Sequence, residues 1–250
     1  TRPRIDLFVY HYLTIKTVGG DELQIGSLYR SFKDWYEKEK LSAEEFLKDL
    51  IKYRSHFARL INPGNKDRLD IFARRLKSLD TSTVYPILLF LMGLPQEKLT
   101  IDDRDTIISN LESWLVRRFV CGLTTKNYNN FFLSLLKKIK DASKADECLV
   151  DRVNEELTRS QENTGRWPTD NQFLKGWLNT DVYTKSRSDR SAMLLLAINY
   201  FMRTSRTEKI DLEESNLSVE HLLPQKAELK NYPFAEHQQL KKTDETSEMY

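Results

Sequence analysis

Glu220 and His221 stand side by side in the run Val219-Glu220-His221-Leu222-Leu223-Pro224. An imidazole titrates near neutral pH, so it can take a proton from water. A carboxylate offers oxygen to a hard divalent cation such as Mg²⁺. Together the two residue types suit metal-assisted hydrolysis, in which a base activates water and a cation offsets developing charge. Residues 217–222 alternate as a short strand does, and Pro224 would end it. Adjacent strand residues point to opposite faces, so both groups serve one centre only if the strand bends or the ion is reached from its edge. The bland reading of a Glu-His pair in a helical protein is a solvated surface pair, and the residues alone leave both readings open.

The other candidates are basic. Net charge is +2, so bulk attraction to a polyanion is absent and any phosphate contact must be local. Arg117 and Arg118, Lys137 and Lys138 with Lys140, and the run 185–190 with Arg187 and Arg190 are the patches that could supply it. Arginine grips phosphate through two parallel hydrogen bonds. Equally, such pairs are solvated helix faces, and Arg117 or Arg118 could pair with Glu112 or Asp105 inside a bundle. Trp114, Trp167 and Trp177 could stack on bases, but their helical spacing favours packing. His11 and His56 lie in helical segments beside aromatic residues and read as structural. Cys121 and Cys148 form no CxxC pair, which argues against a zinc ribbon or a disulfide framework. A reducing cytoplasm is the expected location. The longest apolar run, residues 85–94, is too short to span a membrane. The opening Thr1-Arg2-Pro3-Arg4 lacks an initiator Met and reads as an excised piece.

The elements that must position these groups are helical. Ser42 and Glu45 have capping-box spacing, and Phe46, Leu50, Tyr53, Phe57 and Leu60 follow on one face until Asn62-Pro63-Gly64. Residues 67–79 repeat the pattern. Residues 84–94 are apolar nearly all round and predict a central buried helix. Thr100 opens a long helix closed by Gly122, and a short link leads to a helix with Tyr128, Phe132, Leu136 and Ile139 on one stripe. So short a link predicts an antiparallel hairpin. Residues 141–144 read as a polar break, 148–157 as an amphipathic helix and 160–165 as a loop. Trp167-Pro168-Thr169-Asp170 opens another helix, and 191–202 is again apolar. From Lys226 onward the pattern is charged and weak.

Three stretches in this order resemble one family: Glu112-Ser113-Trp114-Leu115-Val116-Arg117-Arg118-Phe119-Val120-Cys121-Gly122-Leu123 with the Thr125-Lys126-Asn127-Tyr128-Asn129 that follows, then Trp167-Pro168-Thr169-Asp170-Asn171-Gln172-Phe173, then Ser218-Val219-Glu220-His221-Leu222-Leu223-Pro224-Gln225. They are similar to GmrSD-type restriction proteins. That resemblance implies an N-terminal ParB-like nucleotide-hydrolysing domain or subunit, a helical middle and a C-terminal HNH-like (His-Me finger) nuclease domain. Its implied substrate is DNA carrying modified bases, in defence against phage. Within it His221 is the general base and Glu220 binds Mg²⁺ or another divalent metal. The family's Asp-Gly-Gln-Gln-Arg motif does not occur here, and no Gly-Asn-Leu stretch follows Gln225. The expected fold is mainly α, a multi-helix bundle with a short β element of an incomplete HNH-like finger near the C-terminus. The expected division is a helical domain over 1–210 and the truncated start of the nuclease domain over 211–250. The complete protein is then expected to be a modification-dependent DNA endonuclease, with this piece inactive alone. The alternative is a noncatalytic helical interaction module of a multidomain defence protein.

Overall fold

A computed structural model describes residues 4–19, 23, 25–64, 67–160, 164–179 and 188–204. By chain contacts it divides into two compact units, Thr1–Ser186 and Arg187–Tyr250. The first carries α1 (Arg4–Thr17), a 3₁₀ turn (Ile25–Ser27), α2 (Leu28–Glu39), α3 (Ala43–Ile61), α4 (Arg68–Leu79), α5 (Tyr85–Gly93), α6 (Ile101–Val120), α7 (Tyr128–Lys144), α8 (Leu149–Arg159) and α9 (Asp170–Asn179). The described element of the second is α10 (Ser188–Met202), which buries Ala192, Met193, Leu194 and Leu196. The described residues contain no strand, so the mainly helical expectation holds. The expected β element lies outside them.

Local chemistry sets the helix starts. Ser42 and Glu45 form the reciprocal capping box, with the Ser42 hydroxyl accepting from the Glu45 amide at 3.2 Å. Asp67 and Thr100 cap α4 and α6 in the same sense, each accepting from the amide three residues on. Pro86 sits in the first turn of α5, where its missing N–H costs nothing. α5 is buried on nearly every side and packs against α1, α3 and α7.

Two aromatic clusters form the core of this unit. Phe8, Tyr12, Trp35, Phe46, Tyr53 and Phe57 gather α1, α2 and α3, with Tyr12 edge-on to Trp35 at 5.8 Å and to Tyr53 at 5.6 Å. Trp114 meets Tyr128, Phe131 and Phe132 where α6 gives way to α7. Two expectations need correction. α7 runs unbroken through Lys144, because Ala142 and Ser143 are buried and hold its last turn against the core. The reversal comes later, at Asp146 with φ 53°. α6 and α7 also do not pack closely along their lengths as a hairpin would. They touch at their linked ends, and α8 packs on both.

His11 sits in the first cluster, 5 % exposed, among Tyr10, Phe57 and Tyr85 at 5.4–6.0 Å between ring centres. Its Nδ1 is buried without a hydrogen-bond partner among the described residues. Burial pushes this imidazole down from 6.5 to about 4. The unfolded chain therefore takes up a proton between those values that the folded chain refuses. Stability is held above pH 6.5 and falls as pH drops toward 4, by about 3 kcal/mol over the window. His56 is shifted down by burial first and by Lys52, Arg59 and Arg104 next, so it adds to the same slope. Urea unfolding at a series of pH values is expected to show this loss, and His11→Phe to flatten most of it.

Candidate functional site

Glu220, His221 and Arg187 lie outside the described residues. The structure does describe the segment over 164–179 and its seat on the end of α6.

Trp114 is three residues before Arg117 and four before Arg118, so each arginine neighbours it across one turn of α6. Arg118 is fully buried. Its Nε donates to the Tyr128 hydroxyl at 3.1 Å, Nη1 to the Arg166 carbonyl at 3.0 Å and Nη2 to the Thr124 carbonyl at 2.8 Å. The guanidinium lies over the Trp114 ring at 4.6 Å and the Tyr128 ring at 5.4 Å. Trp114 Nε1 donates to the Gly165 carbonyl at 3.2 Å. The loop entering α7 and the loop entering α9 are thus tied to one helix end.

Arg117 fastens the next stretch. Its Nη1 donates to the Pro168 carbonyl at 3.0 Å, and its Nη2 pairs with Asp170 at 2.6 Å. The same guanidinium sits 5.5 Å from both the Trp167 and Phe173 rings. Thr169 and Gln172 cap the start of α9 reciprocally, at 3.0 and 3.3 Å. Cys121 donates its S–H to the Gln172 carbonyl at 3.4 Å, and burial pushes its thiol up, which keeps that proton in place. Gly176 lets α9 approach closely: a Cβ there would lie 2.8 Å from the Val120 oxygen and 3.1 Å from the Cys121 Cα.

These positions sort the basic candidates. Arg118 is buried, and each of its three nitrogens donates within the chain, so the structure places it as an internal tie. Arg117 is about one-fifth exposed and holds α9. Neither pairs with Glu112 in the described hydrogen bonds. That buried carboxylate takes Arg68 and, at 2.5 Å, Arg75. Lys138 pairs with buried Glu156. Lys137 is exposed and lies against Gly19, while Lys140 donates to the Ile15 carbonyl. Arg190 is half-buried in the first turn of α10. Trp114 is core, as its spacing predicts, whereas Trp177 is 38 % exposed. Among the described residues no three His, Cys, Asp or Glu side chains gather to hold a metal, and no helix is long and apolar enough to cross a membrane.

Residues 167–249 match the family described as GmrSD restriction endonucleases, C-terminal domain. The similarity thus begins at Trp167, beneath Arg117, and takes in α9, α10, Glu220 and His221. No match is found among curated proteins or among solved structures.

Two outcomes test this seat. Arg118→Met leaves the part-buried Thr124 and Arg166 carbonyls and the buried Tyr128 hydroxyl without their donor, and is expected to cost about 3 kcal/mol. Thermal unfolding would then shift down by roughly 10 °C. Arg118→Lys is expected to recover little, since an ammonium cannot reproduce the planar fork. Gly176→Ala is expected to push α9 off α6. Amide exchange should speed up over residues 172–178, with α5 unchanged.

Proposed function

We propose that this chain contributes the helical scaffold and the catalytic strand of a modification-dependent DNA restriction endonuclease. The observation that carries this reading is the family match over 167–249, which contains the Glu220-His221 pair. In this reading His221 removes a proton from the attacking water, and Glu220 orients a divalent cation. A carboxylate oxygen is a donor that Mg²⁺ or Mn²⁺ accepts, with further oxygen ligands from water and substrate. Such an ion, when bound, stabilises charge on the phosphate under attack. DNA would be met by Lys137, Lys138, Arg187 and Arg190, with the helical domain over 1–210 and the nuclease portion over 211–250. A ParB-like nucleotide-hydrolysing partner and a cytoplasmic location belong to the same reading.

One observation favours a second reading, a noncatalytic helical module that positions other domains. Glu112, Arg117 and Arg118 hold helices and their entering loops to one another.

Plasmid cleavage by the complete gene product separates the two. With Mg²⁺ or Mn²⁺, on plain and base-modified DNA, the wild type is expected to cut, and His221→Ala to lower the rate by about 10² to 10⁴. A folded wild type that cuts neither substrate would favour the module, and full activity in His221→Ala would remove the histidine from the chemistry.

A further inference from the structure

Between α7 and α8 lies an open cleft of about 340 Å³, near the lower end of the range for small-ligand sites. Its apolar floor is Phe131 and Leu135, and its walls are Ser134, Lys138, Glu156, Arg159 and Ser160. The floor is stiff and flat. Phe131 stacks parallel on Trp114, with 4.6 Å between ring centres and 3° between planes, and Trp114 is itself held by the Gly165 carbonyl. Phe131 is only half-buried, although its stacking partner is fully so.

The walls carry two cations and one carboxylate. Glu156 is buried and takes Lys138 as its close partner. Arg159 stands 3.9 Å from the same carboxylate with its side chain 68 % exposed, too far for a hydrogen bond and free to swing. Arg152 is also 3.9 Å from Glu156 but is committed to Glu147 and Glu155 at 2.7 and 2.9 Å. The cleft lining is therefore left with an excess positive charge at its mouth and an aromatic plane at its base. An inorganic anion would use only the first and an apolar ligand only the second. A planar ring joined to a phosphate uses both, because bases stack on aromatic side chains whatever their sequence and guanidinium groups grip phosphate. The Ser134 and Ser160 hydroxyls can meet a sugar or a base edge.

We propose that this cleft binds a nucleotide unit, its base against Phe131 and its phosphate on Arg159, with Lys138 held in its pair with Glu156. The unit could be a free mononucleotide or one nucleotide of a single strand, which share this chemistry. The site shares Lys138 with the DNA contacts named above but involves neither Glu220 nor His221, so its failure and the failure of the nuclease chemistry are distinguishable.

Isothermal titration of the full chain tests it, with dAMP, dCMP, the matching nucleosides, inorganic phosphate and an oligodeoxynucleotide of about 10 residues as probes. Monophosphates or the oligonucleotide are expected to bind, and inorganic phosphate to bind far more weakly. Arg159→Gln is expected to weaken the phosphate-bearing probes about tenfold and leave nucleosides unchanged. Phe131→Leu is expected to weaken every base-bearing probe at least about fivefold. Should Phe131→Leu fail to fold, Ser134→Tyr fills the cleft from an exposed position and is expected to abolish binding. Binding of mononucleotides assigns the cleft to free nucleotide, and binding of the oligonucleotide alone assigns it to a strand. No binding by the folded chain, binding unmoved by Arg159→Gln and Ser134→Tyr, or phosphate binding as tightly as dAMP would overturn the proposal.

Discussion

The guanidinium of Arg118 is the constraint around which the second half of the helical unit is arranged. A charge removed from water is tolerated only when its donors are met. Here they are met from two segments, the link just after α6 with the Thr124 carbonyl and the Tyr128 hydroxyl, and the distant Arg166 carbonyl. Each of those segments must therefore return to the end of α6. Trp114 and Tyr128 give the cation two aromatic faces, and Trp114 in turn orders Phe131 by stacking. One buried side chain thus fixes the turn into α7, the approach to α9 and the flat floor of the α7–α8 cleft.

The same division of labour recurs elsewhere. Apolar burial supplies the driving force, concentrated in α5 and the two aromatic clusters. Ionic and hydrogen-bonded groups decide which helix ends meet. Glu112 ties α6 to α4 through Arg68 and Arg75. Arg59 holds the α3–α4 turn through Asp67 and Asp70, the second of them buried. Tyr12 and Lys16 of α1 share Asp49 of α3, at 2.6 Å each. Breaking the ties to Glu112 or Asp70 strands a buried carboxylate, so the cost exceeds the net worth of the pair. The chain's near-neutral charge is consistent with this use, because several of its basic groups are matched internally.

Much of the fold is legible in the sequence because capping is local chemistry. Ser42 with Glu45, Asp67 and Thr100 mark helix starts that the structure reproduces, and the unbroken apolarity of 85–92 marks a helix buried all round. What periodicity lacks is the identity of the partner face. It shows that α6 and α7 each have an apolar stripe, but not that α8 packs on both. It reads 141–144 as a break because their polarity is visible and the burial of Ala142 and Ser143 is not. The arginine pair shows the same limit. Adjacent helical residues differ by about 100° in direction, so Arg117 reaches α9 while Arg118 turns into the core. The signal available was Trp114 four residues before Arg118, an aromatic face at the spacing that lets a guanidinium lie over it. The Glu220-His221 pair was legible as chemistry from residue types alone, and its geometry falls outside the described residues.

The similarity to restriction endonucleases begins at Trp167, whereas the first compact unit extends to Ser186. The boundary in sequence and the boundary in space therefore differ, and α9 belongs to both. That overlap has a physical basis in Arg117, whose bonds to Pro168 and Asp170 join the matched stretch to a helix that precedes it. The close approach at Gly176 adds a steric fit that a free linker would not need. Dividing the chain at residue 167 would cost α6 these contacts and expose the Trp167 and Phe173 rings that Arg117 covers. Dividing it after residue 186 would keep the compact unit and split the matched stretch. α9 is thus common to the helical unit and to the matched stretch, and a cut at either boundary divides one of them.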